Sequence, residues 1–329
     1  MRVLVTGGAG YVGSVSAERL LAAGHSVTVL DSLVTGHRAA VPEAAKLVTG
    51  SVLEQPLVER ALREDGIEAV LHCAGRLLVG ESVEQPELYY RENVLGGLSL
   101  LDAMRAAGVD RMVFSSSAAV YGTPQAIPID ESQLPSPINP YGETKRAFEG
   151  ALTWYARAYG MRAVSLRYFN VAGASDERGE DHDPETHLIP SVLASALGGR
   201  PLTIHGADYP TPDGTCIRDY IHVEDLADAH IAALGQTEQA APELEVCNLG
   251  SGSGFSVLEV VQAAESVVGR KLPFTLGQRR PGDPPVLVAS NDRAAQVLGW
   301  RPRRGSLDEM VGSAWRWHVD HPSGYPELA

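Results

Sequence analysis

Residues 6–13 read Thr6-Gly7-Gly8-Ala9-Gly10-Tyr11-Val12-Gly13. They follow the apolar run Val3-Leu4-Val5 and open a helical stretch, Tyr11–Ala23, that Gly24 ends. A strand, a glycine turn and a helix in that order suit the binding of a diphosphate. In the G-x-x-G-x-x-G spacing, Gly7 permits a tight turn, Gly10 lets a pyrophosphate approach the backbone and Gly13 lets helix and strand pack closely. The helix start adds N–H groups and the positive end of its dipole. The next strand, Val27–Leu30, leads into Asp31. A carboxylate there suits the two ribose hydroxyls of NAD and repels a 2′-phosphate. The expected cofactor is therefore NAD, with Gly7, Gly10, Tyr11, Val12, Gly13, Asp31 and the adjoining Ser32 around it.

Working outward, strands and helices keep alternating. Val70–His72, Met112–Phe114 and Val164–Arg167 read as strands, and Pro56–Glu64, Leu95–Ala107 and Pro140–Tyr159 as helices. Such alternation predicts an α/β fold, a doubly wound parallel sheet covered on both faces. After about residue 170 the texture changes: prolines cluster, strands shorten and helices scatter, as at Val257–Val268 and Leu307–His318. A smaller C-terminal α/β lobe over the open end of the sheet is expected, with ligands in the cleft between the two.

The 329 residues are 44% hydrophobic, enough for a core, which excludes intrinsic disorder. A net charge of −14 argues against binding nucleic acid or an anionic membrane. No apolar run approaches the roughly 20 residues that span a bilayer, and Met1–Gly10 does not read as a signal peptide. Cys73, Cys216 and Cys247 form neither a disulfide framework nor a zinc pattern, which suggests a reducing, cytoplasmic setting.

Of 27 basic residues, 24 are Arg and only Lys46, Lys145 and Lys271 are Lys. A Lys at a chemically suggestive position is therefore informative. Tyr141 and Lys145 are spaced i, i+4 at the start of a long helix and share one face. A phenol with a pKa of about 10 is a poor base at neutral pH. A nearby ammonium, or the positive charge of oxidised nicotinamide, favours the phenolate. Ser115-Ser116-Ser117 is expected just after the fifth strand, where a hydroxyl can bridge Tyr141 and a substrate hydroxyl. Together these predict an NAD-linked alcohol oxidation site. No metal is expected, since no two histidines stand at ligand spacing beside a Cys or carboxylate pair, and no G-x-S-x-G elbow is present. His187, His205 and His222 remain as pocket candidates.

At this point the sequence resembles the extended short-chain dehydrogenases/reductases, and among them the UDP-glucose (UDP-galactose) 4-epimerase family. The resemblance runs from Arg2 to about Tyr325. It is carried by Val5–Gly13, Val79-Gly80-Glu81-Ser82-Val83, Phe114–Gly122, Tyr141-Gly142 with Lys145, and Leu166-Arg167-Tyr168-Phe169-Asn170. Asp208-Tyr209-Pro210-Thr211, Asp213-Gly214-Thr215, Arg218–Val223 and Asp225-Leu226-Ala227-Asp228 extend it. It implies a Rossmann-like NAD-binding domain over residues 1–170, including the catalytic Tyr, Lys and Ser. Residues 171–329 would form a smaller nucleotide-sugar lobe, with some strands and helices returning to the first domain.

The same resemblance implies that Tyr141 takes the proton of the sugar 4-hydroxyl, Lys145 tunes it and Ser117 orients that hydroxyl. Ala74, Gly75, Asn93, Ser115 and Tyr168 join the NAD contacts. Asn170, His187, Leu188, His205, Arg218, Tyr220, Arg280 and Asp283 would hold the UDP-sugar, and Leu287 would line the pocket by the sugar 2-substituent. Hydride would leave C4 and return to its other face, with NAD kept throughout. Members are commonly homodimers through a four-helix bundle, which Leu95–Ala107 and Pro140–Tyr159 would supply. Ser51, Leu77, His187 and His205 depart from residues common in the family at those places.

Rival chemistries fit less well. A 4,6-dehydratase needs a carboxylate where this chain has Ser116-Ser117-Ala118, and a uronic-acid enzyme needs a cation that Asn170–Ala174 lacks. A non-catalytic NAD-binding homologue would have a broken Tyr/Lys/Ser set, and here it is intact.

Overall fold

A computed structural model describes residues 1–239, 241–279 and 283–326. In chain order the strands are β1 (Arg2–Thr6), β2 (Ser26–Asp31), β3 (Lys46–Thr49), β4 (Ala69–His72), β5 (Arg111–Ser117), β6 (Arg162–Tyr168), β7 (Asn170–Ala172), β8 (Leu202–His205), β9 (Ile217–His222), β10 (Leu244–Leu249), β11 (Gly254–Ser256), β12 (Phe274–Gly277) and β13 (Val286–Leu287). Seven of them form one parallel sheet in the order β10-β6-β5-β4-β1-β2-β3. The order reverses at β1, so the crevice beyond the ends of β1 and β4 is the switch point where ligands bind in doubly wound sheets.

The central strands are continuous apolar runs because both faces are covered. One face buries Val3, Val5, Val29, Leu71 and Val164 with Leu20 from the first helix and Leu226, Ala229 and Leu234 from the helix Val223–Gln239. The other buries Leu4, Leu30, Val70, Met112 and Phe114 against Leu62, Leu101, Met104, Phe148 and Leu152. The covering helix Val223–Gln239 and strand β10 both come from beyond residue 171. The sequence reading expects some later strands and helices to return to the first domain but names neither of these, because β10 is placed by its pairing with β6 some 80 residues earlier in the chain.

Helix Pro140–Tyr159 has the bounds read from sequence, and its end signals explain why. Asn139 Oδ1 accepts from Gly142 N at 2.8 Å, Pro140 opens the first turn and Gly160 ends it at φ 74°. Leu95–Ala107 differs slightly: a π-helical turn, Tyr90–Leu95, precedes the helix Gly96–Ala107. The three serines do not follow the fifth strand but are its last residues, paired with Leu166, Arg167 and Tyr168. The remaining strands belong to the second lobe. There β9 pairs with β7, β11 and β13, and β8 pairs with β12. No helix among the described residues is long and apolar enough to cross a membrane.

Candidate active site

The glycine turn is built by contact. Gly7 has φ +71°, and a Cβ there would lie 2.6 Å from Ala74 N. A Cβ on Gly13 would run into the Gly7 carbonyl, whereas one on Gly10 would meet only that carbonyl, at 3.5 Å. The turn is thus closed on the protein side at Gly7 and Gly13 and open at Gly10, as a pyrophosphate cradle requires. Gly10 caps the helix Tyr11–Ala22 without a side chain, so no internal group competes for the first-turn N–H donors. Tyr11 is buried and its hydroxyl donates to Gly173 O at 2.5 Å, tying the helix start to the second lobe, while Val12 is half-buried beside it. Asp31 is buried at the end of β2. Its Oδ2 accepts from Ala9 N at 2.9 Å and its Oδ1 from Leu33 N at 2.8 Å, so it also fixes the glycine loop. Each oxygen keeps a second lone pair for a ribose hydroxyl. Ser32 is exposed next to it. These residues fit NAD.

Ala74 and Gly75 follow β4 on the opposite side of the crevice. Asn93, in the π-helical turn, is buried and engaged by the protein. Its Oδ1 accepts from Arg76 N at 2.7 Å, and its Nδ2 donates to Arg76 O at 3.1 Å and Thr144 Oγ1 at 3.0 Å. It shapes the 74–76 loop and ties it to the catalytic helix.

Ser117, Tyr141, Lys145 and Tyr168 meet at the ends of β5 and β6. Lys145 is only 6% exposed. Its Nζ donates to Ser115 O at 2.8 Å, lies 4.9 Å from the Phe114 ring centre and 5.8 Å from that of Tyr141. Burial pulls its ammonium down to about 8, with Cys73 and Glu149 acting the other way. The structure adds a partner that the sequence does not show: the Ser115 carbonyl takes one N–H of the ammonium. Burial holds the Tyr141 phenol above its ordinary value, and the neighbouring Ser117 hydroxyl pulls it back. Ser115 is buried, with Oγ 3.1 Å from Cys73 Sγ and 3.4 Å from His230 Nε2. Burial also raises the Tyr168 phenol.

Sequence reasoning missed what stands behind this set. Glu149, one turn beyond Lys145, is buried beneath the serines. Its Oε1 accepts from Ser116 Oγ and Ser165 Oγ, both at 2.7 Å, and from Arg167 Nε at 3.0 Å, while Oε2 accepts from Arg167 Nη2 at 2.6 Å. Arg167 Nη1 donates to Tyr121 at 2.9 Å, and Tyr121 donates to Asn248 Oδ1 at 2.8 Å. This chain of bonds locks the helix Pro140–Tyr159 to β5, β6 and β10. The only signal for it was the i, i+4 step from Lys145 to Glu149 and a charged Arg167 inside an apolar strand.

The expected UDP-sugar residues come mostly from the second lobe. Asn170 is exposed at the start of β7, and its Nδ2 donates to Asp219 O at 3.0 Å. Arg218 and Asp283 form an ion pair, with Arg218 Nη1 also donating to Ile217 O at 2.8 Å. Tyr220 lies two residues along β9, 5% exposed and within the lobe's apolar core. Leu188 begins the helix Leu188–Ala196, and His187 precedes it at the N-cap position without a side-chain cap. Burial opposes charge on His187, but Glu180 and Glu185 outweigh it and push its value up to about 9. His205 ends β8 opposite Gly277. Leu287, paired with Arg218, packs with Val120, Tyr121 and Phe169, next to Ser117 and Tyr168 in sequence. Arg280 lies outside the described residues.

His222 is not a pocket residue. It is fully buried, its Nε2 lies 3.0 Å from Ser313 Oγ and its Nδ1 accepts from Glu224 N at 3.2 Å. Burial, helped by Arg304 and Arg316, lowers it to about 4, so it is a neutral structural imidazole.

The NAD dependent epimerase/dehydratase family profile matches residues 3–250. The UDP-glucose 4-epimerase of Lactobacillus helveticus is 50% identical over 99% of this chain and 100% of its own length. The solved UDP-glucose 4-epimerase of Brucella ovis, in complex with NAD, matches with a TM-score of 0.93 at 46% identity, over 96% of this chain and 97% of that one. That of Bifidobacterium longum, in complex with NAD+ and UDP, matches with a TM-score of 0.93 at 37% identity, over 99% of this chain and 100% of that one. With the glycine turn, Asp31 and the Ser117/Tyr141/Lys145 set all in place, the chain belongs to the UDP-glucose 4-epimerases of the NAD dependent epimerase/dehydratase family.

Proposed function

We propose that the chain interconverts UDP-glucose and UDP-galactose by inverting sugar C4, with residues 1–170 holding the dinucleotide and 171–329 the nucleotide sugar. The observation that carries this reading is the meeting of Ser117, Tyr141 and a buried Lys145 beside the glycine turn. NAD, when bound, supplies a hydride acceptor and donor for C4 and a positive charge that favours the phenolate. Tyr141 takes the 4-hydroxyl proton and later returns it, and Ser117 Oγ orients that hydroxyl. Lys145 stabilises the phenolate side of this transfer and donates to the ribose. Arg218 presents its remaining N–H groups to the diphosphate, with Asp283 holding its orientation. Asn170, His187, Leu188, His205 and Tyr220 border the same nucleotide sugar. Ser116 and Ala118 offer no carboxylate for dehydration.

The active species is a cytoplasmic homodimer. Leu95, Trp154 and Tyr159 are 55%, 66% and 56% exposed on or beside the helices Gly96–Ala107 and Pro140–Tyr159, an apolar surface that a second copy would bury in a four-helix bundle.

Leu287 sets the room beside the sugar 2-substituent. Leu in place of a larger Tyr leaves space for an acetamido group, and overpacking by a few atoms costs about 1–3 kcal/mol. Wild type therefore converts UDP-galactose first and UDP-N-acetylglucosamine measurably. Leu287→Tyr lowers kcat/KM for the acetamido sugar about ten- to a hundredfold relative to UDP-galactose, read by chromatographic separation of the epimers. Failure of wild type to convert UDP-galactose overturns the function. An unchanged ratio in Leu287→Tyr removes Leu287 as the gate while leaving the function standing.

A further inference from the structure

From sequence, no pair of histidines stood at ligand spacing beside carboxylates. The reason is that the relevant residues lie on a loop, where neither helix nor strand period applies. Ahead of the helix Leu188–Ala196, the chain folds Glu180, His182, Glu185 and His187 onto one another. One donor atom from each lies within 4.8 Å of all the others. We propose that these four side chains form a binding site for one divalent transition-metal ion of the zinc type. His187 also borders the proposed nucleotide-sugar site, but the inference adds no metal to the reaction and is tested at His182 and Glu185, which that reading does not use.

The distances suit that class of ion. A tetrahedral zinc with bonds of about 2.0–2.2 Å holds its ligand atoms roughly 3.3–3.6 Å apart. His182 Nδ1 lies 3.3 Å from Glu180 Oε1 and 3.8 Å from Glu185 Oε2, and His187 Nδ1 lies 3.8 Å from Glu185 Oε1. The closer contact between His187 and Glu180 must open to admit the ion, while the wider spacings, all within 4.8 Å, must draw in.

A second observation points to a missing partner. His182 Nδ1 is buried, and its nearest polar neighbour, Glu180 Oε1 at 3.3 Å, is not aligned for a good hydrogen bond. A buried ring nitrogen left this way is costly, and a metal ion satisfies it. The carboxylates are pre-oriented. Glu185 Oε1 accepts from Thr186 N and His187 N, each at 2.7 Å, which leaves Oε2 toward His182. Glu180 is 6% exposed at its side chain and its charge is balanced by the adjacent His187 ring, a part that a divalent ion would take over with both rings neutral. Two carboxylates against one divalent ion make the cluster neutral. Two imidazoles with two carboxylates favour zinc or cobalt over magnesium or calcium, which take oxygen ligands.

The test uses the full-length protein with its NAD, stripped of metal by a chelator and titrated with ZnCl2 and CoCl2. One ion per chain is expected by calorimetry, with strong visible absorption of tetrahedral Co2+. His182→Ala should weaken binding by at least the 10–100-fold typical of losing even an outer partner. Glu185→Gln should do the same if the first variant folds poorly. Cobalt should raise Tm in wild type and not in either variant. The proposal fails if wild type shows no saturable binding, or if both variants bind as tightly as wild type.

Discussion

Tyr141→Phe is expected to lower kcat by roughly 10²–10⁴-fold, the usual contribution of a positioned proton-transfer group, or about 3–5 kcal/mol of barrier. The ring itself remains, so its edge contact with Tyr89, centres 6.4 Å apart, survives and the helix start is undisturbed. UDP, bound by residues of the second lobe, should keep its Kd within about threefold, since no contact to the nucleotide changes. The measurement is kcat by chromatographic assay beside UDP binding by calorimetry. A kcat within tenfold of wild type would assign the proton to another group. The size of the effect follows from the site. Burial holds the phenol high, and among its neighbours only Ser117 eases it down.

The second large effect is on stability. Glu149→Gln should destabilise the protein by about 3–5 kcal/mol, the cost of leaving one partner of a buried ion pair uncompensated. Arg167 is only 6% exposed, and burial opposes its charge, which Glu149 restores. The same substitution weakens the acceptor shared by Ser116, Ser165 and Arg167. Replacing both partners, as Glu149→Leu with Arg167→Met, should recover most of the loss, because no charge is then stranded. Urea unfolding of the three variants reads this directly. A single variant within about 1 kcal/mol of wild type would mean that the pair is not structurally important.

The nucleotide half of the fold was legible because its signals are local. Gly7 and Gly13 sit where the turn leaves no room for a side chain, Gly10 keeps it open, and Asn139, Pro140 and Gly160 mark the helix of Tyr141 and Lys145 at both ends. Tyr141 and Lys145 share a face simply because of helical period. What stayed hidden depends on tertiary contact. β10 is an ordinary apolar hexapeptide until β6 pairs with it. Asn93 also carries a structural part that no sequence pattern shows, its amide groups going to Arg76 and Thr144. Helical period puts the Lys145 ammonium on the face of Tyr141, but only the fold shows that the Ser115 carbonyl accepts from it. His222 and His187 look alike in sequence. One is a buried neutral ring, and the other is raised by two carboxylates that a loop brings to it.

The central claim is that hydrogen leaves C4 and returns to C4 on a cofactor the protein keeps, held at the Gly7–Gly13 turn and Asp31. Purified protein freed of external nucleotides and given UDP-galactose without added NAD measures this most directly. The account predicts sustained conversion to UDP-glucose, near-stoichiometric NAD released on denaturation, and no growth of reduced-nicotinamide absorbance as product accumulates. Reduced nicotinamide rising in step with product, or turnover only when NAD is supplied as a consumed reagent, would contradict it.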